Sequence, residues 1–144
     1  MAHTKFKVEV LTPEGEVFSD EVEMVSTRTT LGLIGILAGH APLLATLEPT
    51  ELRLYRTDSD IVRFAQAEGY LQIADNRPGR AGPQVMLLVE EAIAPEALDV
   101  ERLRARIAES EHELEGIGED DAKRRLAEVN RRRAQTFLKI AEGG

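Results

Sequence analysis

Ala92-Ile93-Ala94-Pro95-Glu96-Ala97-Leu98-Asp99 is the stretch at which the pattern of the chain changes. Upstream of it the apolar residues recur every second position. Phe6, Val8 and Val10 alternate with Lys7 and Glu9, and Val22, Met24 and Ser26 alternate with Glu21, Glu23 and Val25. That is the period of half-buried strands. Thr12-Pro13-Glu14-Gly15 places proline second and glycine fourth, the order a type I turn favours. Further short apolar runs at 33–37, 42–47, 52–56, 61–66, 69–74 and 85–89 predict a β-sandwich or flattened barrel. A long basic loop, 75–83, interrupts the series with glycines and prolines that extend a ladder poorly.

Downstream of Pro95 the steps become three and four residues long. Leu98, Leu103, Ile107, Ser110, Leu114 and Ile117 make one series, and Gly116-Ile117-Gly118 breaks it. Ala122, Leu126, Val129, Arg133, Phe137 and Ile140 make a second series. Two antiparallel helices joined by a tight turn are predicted. From 96 to 121 there are three arginines against ten acids, net −7; from 122 to 142 there are seven bases against two acids, net +5. Opposite signs on neighbouring helices favour the hairpin, although exposed ion pairs contribute only ~0.2–1 kcal/mol each. The expected class is therefore α+β. An N-terminal all-β sandwich or flattened barrel (1–94) precedes a C-terminal two-helix antiparallel hairpin (95–144).

Composition excludes several chemistries. The 144 residues contain no Cys, so disulfides, thiolate metal sites and cysteine nucleophiles are absent. The formal charge of −8 opposes nucleic acid as a main ligand, because phosphate neutralisation needs a basic surface. No apolar run approaches the ~20 residues of a membrane helix, and the polar start 1–7 lacks a signal-peptide core. His3, His40 and His112 lie far apart without paired spacing, which predicts no metal site. Gly32, Gly35 and Gly39 are followed by no Walker lysine, and the acid pairs Glu90-Glu91 and Asp120-Asp121 read as solvated surface. No catalytic residues are expected.

The most specific stretch is Gly35-Ile36-Leu37-Ala38-Gly39-His40-Ala41-Pro42-Leu43-Leu44. It resembles the Gly-Ile/Val-Leu-Pro-Gly-His-Ala-Pro-Leu signature of the epsilon subunit of the bacterial F-type ATP synthase. Thr12 to Phe18 resembles that family's opening turn, Glu21 to Val25 its second main strand, and Glu68 to Ile73 its Gly-Gly-hydrophobic-Leu-Glu-Val strand. Ala92-Ile93 and Leu98-Asp99 stand where the family enters its helical hairpin, so the resemblance spans the chain.

The resemblance implies a non-catalytic central-stalk subunit at the cytoplasmic face of the bacterial cell membrane. Such a subunit is peripheral and meets the membrane only through its complex. The β head is expected to bind the rotating gamma subunit and touch the c-subunit ring, with Leu33, Gly39, His40 and Pro42 as contact candidates. The hairpin is expected to extend along gamma and block ATP hydrolysis. There the basic residues Lys123, Arg124, Arg125, Arg131 and Arg132 would meet an acidic segment of the catalytic beta subunit, beside alpha. Each position also has a plainer reading: His40 as a turn residue that satisfies backbone carbonyls, and the basic residues as a solvated face.

Departures from the family pattern carry their own expectations. Leu33 stands where many relatives carry an acid, so a c-ring contact there is not a salt bridge. Ala38 replaces a proline, and the loop 77–83 is longer than usual. Some relatives bind ATP through a Leu/Ile-Asp-x-x-Arg-Ala motif and two arginines of the second helix. Leu98, Asp99, Arg102 and Arg133 match that pattern, whereas Ile93, Leu103 and Phe137 depart from it. Weak or no ATP binding is expected, with Asp99, Arg102 and Arg133 as residual candidates and no cofactor. In the plainer reading Asp99 is a helix N-cap and Arg102 is solvated. Arg133, on the predicted apolar seam, would reach water, pair with Glu109 or Glu113, or receive a phosphate. An adaptor or chaperone-like module, with a β body presenting a helical hairpin, is the alternative function. An enzyme on a β-sandwich lacks any acid, base or nucleophile cluster.

Overall fold

The structure is a computed structural model that describes residues 3–75, 82–116 and 121–143. It forms two compact units, 1–93 and 94–144. Most of the predicted basic loop and part of the Gly116-Ile117-Gly118 break lie outside the described residues.

The first unit contains β1 (Phe6–Thr12), β2 (Gly15–Val22), β3 (Met24–Thr29), β4 (Gly32–Ile36) and β5 (Leu43–Leu47). It continues with β6 (Thr50–Tyr55), β7 (Ile61–Gln66), β8 (Gly69–Ile73), β9 (Val85–Val89) and β10 (Ala92–Ile93). One hydrogen-bonded path runs β10-β7-β6-β3-β5-β8-β9-β1-β2, with β4 on β3. The path folds over where β3 meets β5 through the single register pair Thr29↔Leu47. Val25, Ile36, Leu52 and Leu54 from one half then join Val8, Val10, Leu71, Val85 and Leu87 from the other in one buried core. The result is the expected nearly closed β-sandwich.

Two details differ from the sequence pattern. The strand read through Glu21 to Ser26 is two strands: Val22 pairs Phe6 on β1, and Met24 pairs Tyr55 on β6. Glu23 links the two halves, with its N–H donating to Tyr55 O at 2.7 Å. Side-chain parity switches there. Val22 and Val25 are both buried, so Val22, Met24 and Ser26 do not share one face. The turn at Thr12–Gly15 also leads into an unpredicted strand, β2, most of whose side chains are exposed.

Inside the sandwich, Gln66 is fully buried yet satisfied. Thr27 Oγ1 donates to its Oε1 at 2.5 Å, and its Nε2 donates to Glu48 O and Ala67 O at 3.0 and 3.2 Å. Such a network fixes core geometry because each member has a partner. At Gly69, β8 and β9 approach so closely that a Cβ would overlap the Leu88 carbonyl oxygen. Glycine is required at that crossing.

The second unit begins with a 3-10 turn (Pro95–Ala97), followed by α1 (Val100–Gly116) and α2 (Asp121–Ala141). Arg104 Nη2 lies 3.5 Å from Glu142 Oε2, tying the start of α1 to the end of α2, as an antiparallel pair requires. On α1 the predicted series holds from Leu103 to Leu114: Leu103 and Ser110 are buried, Ile107 and Leu114 half-buried, while Leu98 precedes the helix and Ile117 lies outside the described residues. On α2 it shifts. The buried positions are Ala127, Ala134, Phe137 and Ile140, while Leu126 is 62% and Val129 41% exposed. The seam of α2 is thus set by Ala127 and Ala134 and not by the larger Leu126 and Val129, and small residues on a buried helix face permit close packing.

Candidate docking and regulatory surfaces

The β3–β4 hairpin carries two of the three most exposed large apolar residues among the described residues of the head, the third being Leu44 on β5. Leu31, in the turn, is 99% exposed, and Leu33, paired with Arg28, is 70% exposed. Thr29 shapes this tip: its Oγ1 accepts the Leu31 N–H at 3.1 Å and donates to Gly32 O at 3.2 Å. Gly32 has φ +123°, a left-handed conformation that glycine supplies without strain. Leu31 was not singled out from sequence. Its signal was an apolar residue beside a turn glycine, with no polar residue between it and Leu33.

Gly39, His40 and Pro42 lie at the other end of β4, in the loop before β5. Gly39 has φ +79°, and the His40 N–H donates to Leu37 O at 3.2 Å, closing the turn. His40 is half-buried, and its Nδ1 sits 2.8 Å from Ala41 O. Pro42 is exposed. The structure does not bring Leu33 and this loop together. Leu33 lies within β4, roughly 10 Å of strand from its end at Ile36 at about 3.3 Å per residue, and the loop begins beyond that end.

The basic residues of α2 spread around the helix. At 100° per residue, Arg124 and Arg131 flank the Ala127–Ala134 seam and are half-buried. Arg125 and Arg132 point to the far side and are exposed, as is Lys123 in the first turn. Lys123, Arg124 and Arg132 each already have an interaction partner within the chain.

Among the nucleotide candidates, Asp99 is a helix cap. Its Oδ1 accepts the Arg102 backbone N–H at 3.1 Å at the start of α1. The Arg102 side chain is exposed, and Arg133 is half-buried with an interaction partner of its own. Among the described residues no three His, Cys, Asp or Glu side chains gather as a metal site. No described helix is long and apolar enough to cross a membrane.

A β-sandwich head followed by a two-helix hairpin, with no cluster of metal-ligating side chains among the described residues, is the architecture that defines the class of this protein. Residues 5–94 match the family model for the ATP synthase delta/epsilon chain β-sandwich domain. The chain is 32% identical over 140 residues to ATP synthase epsilon chain 2 of Syntrophotalea carbinolica, covering 97% of this chain and 96% of the relative. It is 34% identical over 137 residues to the epsilon chain of Citrifermentans bemidjiense, covering 95% and 94%. With the epsilon chain of Halalkalibacterium halodurans it shares 35% over 134 residues, covering 93% and 95%. A chain in the cryo-EM structure of the Euglena gracilis mitochondrial ATP synthase, OSCP/F1/c-ring, superposes with TM-score 0.73 at 19% identity, covering 99% of this chain and 82% of that one. A chain of the Tetrahymena thermophila mitochondrial ATP synthase central stalk/c-ring gives 0.59 at 15% identity, covering 98% and 99%. The chain belongs to the ATP synthase delta/epsilon family, as an epsilon chain of the bacterial type. The expectation of a non-catalytic subunit stands with that membership.

Proposed function

We propose that this chain is a central-stalk subunit that couples gamma rotation to the c-ring and restrains ATP hydrolysis through its hairpin. The observation that carries the reading is the division of the chain into two compact units, matched over nearly its whole length by relatives named epsilon chain. In this reading the head holds gamma through the Gly39-His40-Pro42 loop. The Leu31–Leu33 tip meets the c-ring by apolar contact, since neither leucine can form an ion pair. The assembly sits at the cytoplasmic face of the cell membrane, and the hairpin acts against the catalytic beta and alpha subunits.

The inhibitory contact falls to the exposed cations. Arg125 and Arg132 stand i, i+7 apart on the far side of α2, with Lys123 at its start, and Arg124 and Arg131 become available where the hairpin opens. ATP plays a minor part: Asp99 spends its carboxylate on the cap, and Ile93 and Phe137 supply no charge. Each missing charge-assisted hydrogen bond costs ~1.5–3 kcal/mol, which takes micromolar binding toward millimolar.

Reconstitution with the catalytic complex tests the reading. The full chain is expected to bind and slow ATP hydrolysis, and a chain ending at Ala94 to bind without slowing it. Equal hydrolysis rates with the two chains would remove the hairpin's role. Failure of the shorter chain to bind gamma would remove the head's.

A further inference from the structure

The described part of the head carries six Lys and Arg side chains (Lys5, Lys7, Arg28, Arg53, Arg56 and Arg63), and three of them share one outer sheet face. The register pairs Gly35↔Ser26, Ser26↔Arg53 and Arg53↔Arg63 form a single row across β4, β3, β6 and β7. Residues paired in register lie on the same face, and Arg28, two positions beyond Ser26, returns to it. The inward positions between them, Thr27, Leu52 and Leu54, are fully buried, so the row faces outward.

Like charges directly opposite on neighbouring strands are destabilising. Arg53 is partly neutralised, since its Nε donates to Glu51 Oε1 at 2.6 Å. Arg63 is exposed, and neither it nor Arg28 has a carboxylate partner among the described residues. At the other end of the row, a Cβ on Gly35 would meet nothing within 4 Å, and Ser26 is small. The arginines therefore border an open notch in a chain whose net charge is −8.

We infer that the row Gly35–Ser26–Arg53–Arg63, with Arg28 beside it, docks an acidic segment of a partner protein. Arg63 and Arg28 would take separate carboxylates, and the peptide would cross the notch. Guanidinium forks bind carboxylates bidentately, which gives such a contact register as well as attraction. A protein segment fits better than a lipid surface. Glu51 stands among the arginines and repels a uniformly anionic plane, whereas a peptide can set its carboxylates on either side of it. The inference rests on the subunit reading only in seeking the natural partner within the ATP synthase.

The test titrates the isotope-labelled full chain with an octaglutamate peptide and follows backbone amides by NMR. Saturable shifts at Ser26, Arg28, Arg53 and Arg63 are expected, weakening with salt, and Arg63→Glu should lower the affinity at those positions about tenfold. Shifts confined to α2, or an unchanged affinity in Arg63→Glu, would overturn the inference. So would displacement of the peptide by phosphatidylglycerol vesicles that bind the same residues more tightly. A second arm compares the wild type with Arg63→Glu in reconstitution with the catalytic complex. There the variant should bind about tenfold more weakly at low salt, and equal binding counts against the inference. If the wild type does not join the complex, the subunit reading fails, and the peptide titration still decides the docking face.

Discussion

The head and the hairpin hold themselves together by different means. Among the described residues the head buries twenty-one, and fifteen of them, including Phe6, Ile36, Leu47, Leu52, Leu54, Leu71 and Leu87, form one apolar cluster. Among its described residues the hairpin buries six, Leu103, Ser110, Ala127, Ala134, Phe137 and Ile140, and three of those are alanine or serine. Side-chain burial contributes roughly 25 cal/mol per Å² of apolar surface, so Ala and Ser add little. A unit stabilised this way has less apolar burial to oppose melting than its neighbour has. Under the proposed function, that difference would serve a head that stays bound and a hairpin that changes state.

The sharpest test of the difference removes one large side chain from each unit. Phe137→Ala should cost ~3–5 kcal/mol, because Phe137 is the largest fully buried side chain of the hairpin. That loss should abolish most of the far-ultraviolet helical signal. Both tyrosines, Tyr55 and Tyr70, lie in the head, so the near-ultraviolet tyrosine band reports that unit alone and should be unchanged. Leu71→Ala, on β8 between β5 and β9, should cost ~2–5 kcal/mol and shift the tyrosine transition instead. Coincident transitions by both probes in both variants would show one cooperative unit and break the comparison.

The two units were also unequally legible in the sequence. In the head, alternation located β1, where a period of two leaves only one face for Val8 and Val10, and short apolar runs between turn residues located most of the other strands. The break at Glu23 stayed hidden, since one reversal of parity leaves no mark on composition. In the hairpin, the α1 series was correct, but on α2 the larger Leu126 and Val129 outweighed Ala127 and Ala134. Helix contact favours small residues when a neighbour comes close, and the neighbour is not visible in a single helix's pattern. The surfaces follow the same logic. Asp99 as a cap was readable from its position before a helix, whereas the Arg53–Arg63 row exists only through the register of β6 on β7.

A smaller effect sharpens the contrast at the junction of the hairpin. Asp99→Ala removes the acceptor for the Arg102 N–H and should cost ~1 kcal/mol. Because the hairpin buries few large side chains, this modest change should lower its helical transition and leave the tyrosine transition in place. Equal movement of both transitions would show the cap acting on the whole chain. Asp99→Asn, which keeps an oxygen acceptor, should recover most of the loss.

The smallest predicted effect is electrostatic and confined to the head. The Glu21 N–H donates to Asp20 Oδ1 at 2.7 Å, and Arg56 Nε donates to Oδ2 at 3.0 Å. The backbone bond first, and then Arg56, hold the Asp20 carboxyl below the ordinary carboxylate value of 3.8. Arg56 also lies 5.6 Å from the centroid of Phe18, a ring that the head buries. A depressed folded-state value means that the unfolded chain binds the proton more readily. The contribution is therefore complete above the unfolded value and is lost as the pH falls through the folded one. Because Asp20 is exposed, solvent screens the effect, and it should appear as a shallow loss of head stability on acidification below about pH 4. Asp20→Asn keeps the shape and one acceptor oxygen but cannot titrate, so its stability should fall less steeply across that interval. The helical transition should follow the same acid profile in both proteins, since no hairpin group takes part. An Asn variant whose tyrosine transition tracks the wild type at every acidic pH would show that Asp20 contributes nothing beyond the hydrogen bond it shares with asparagine.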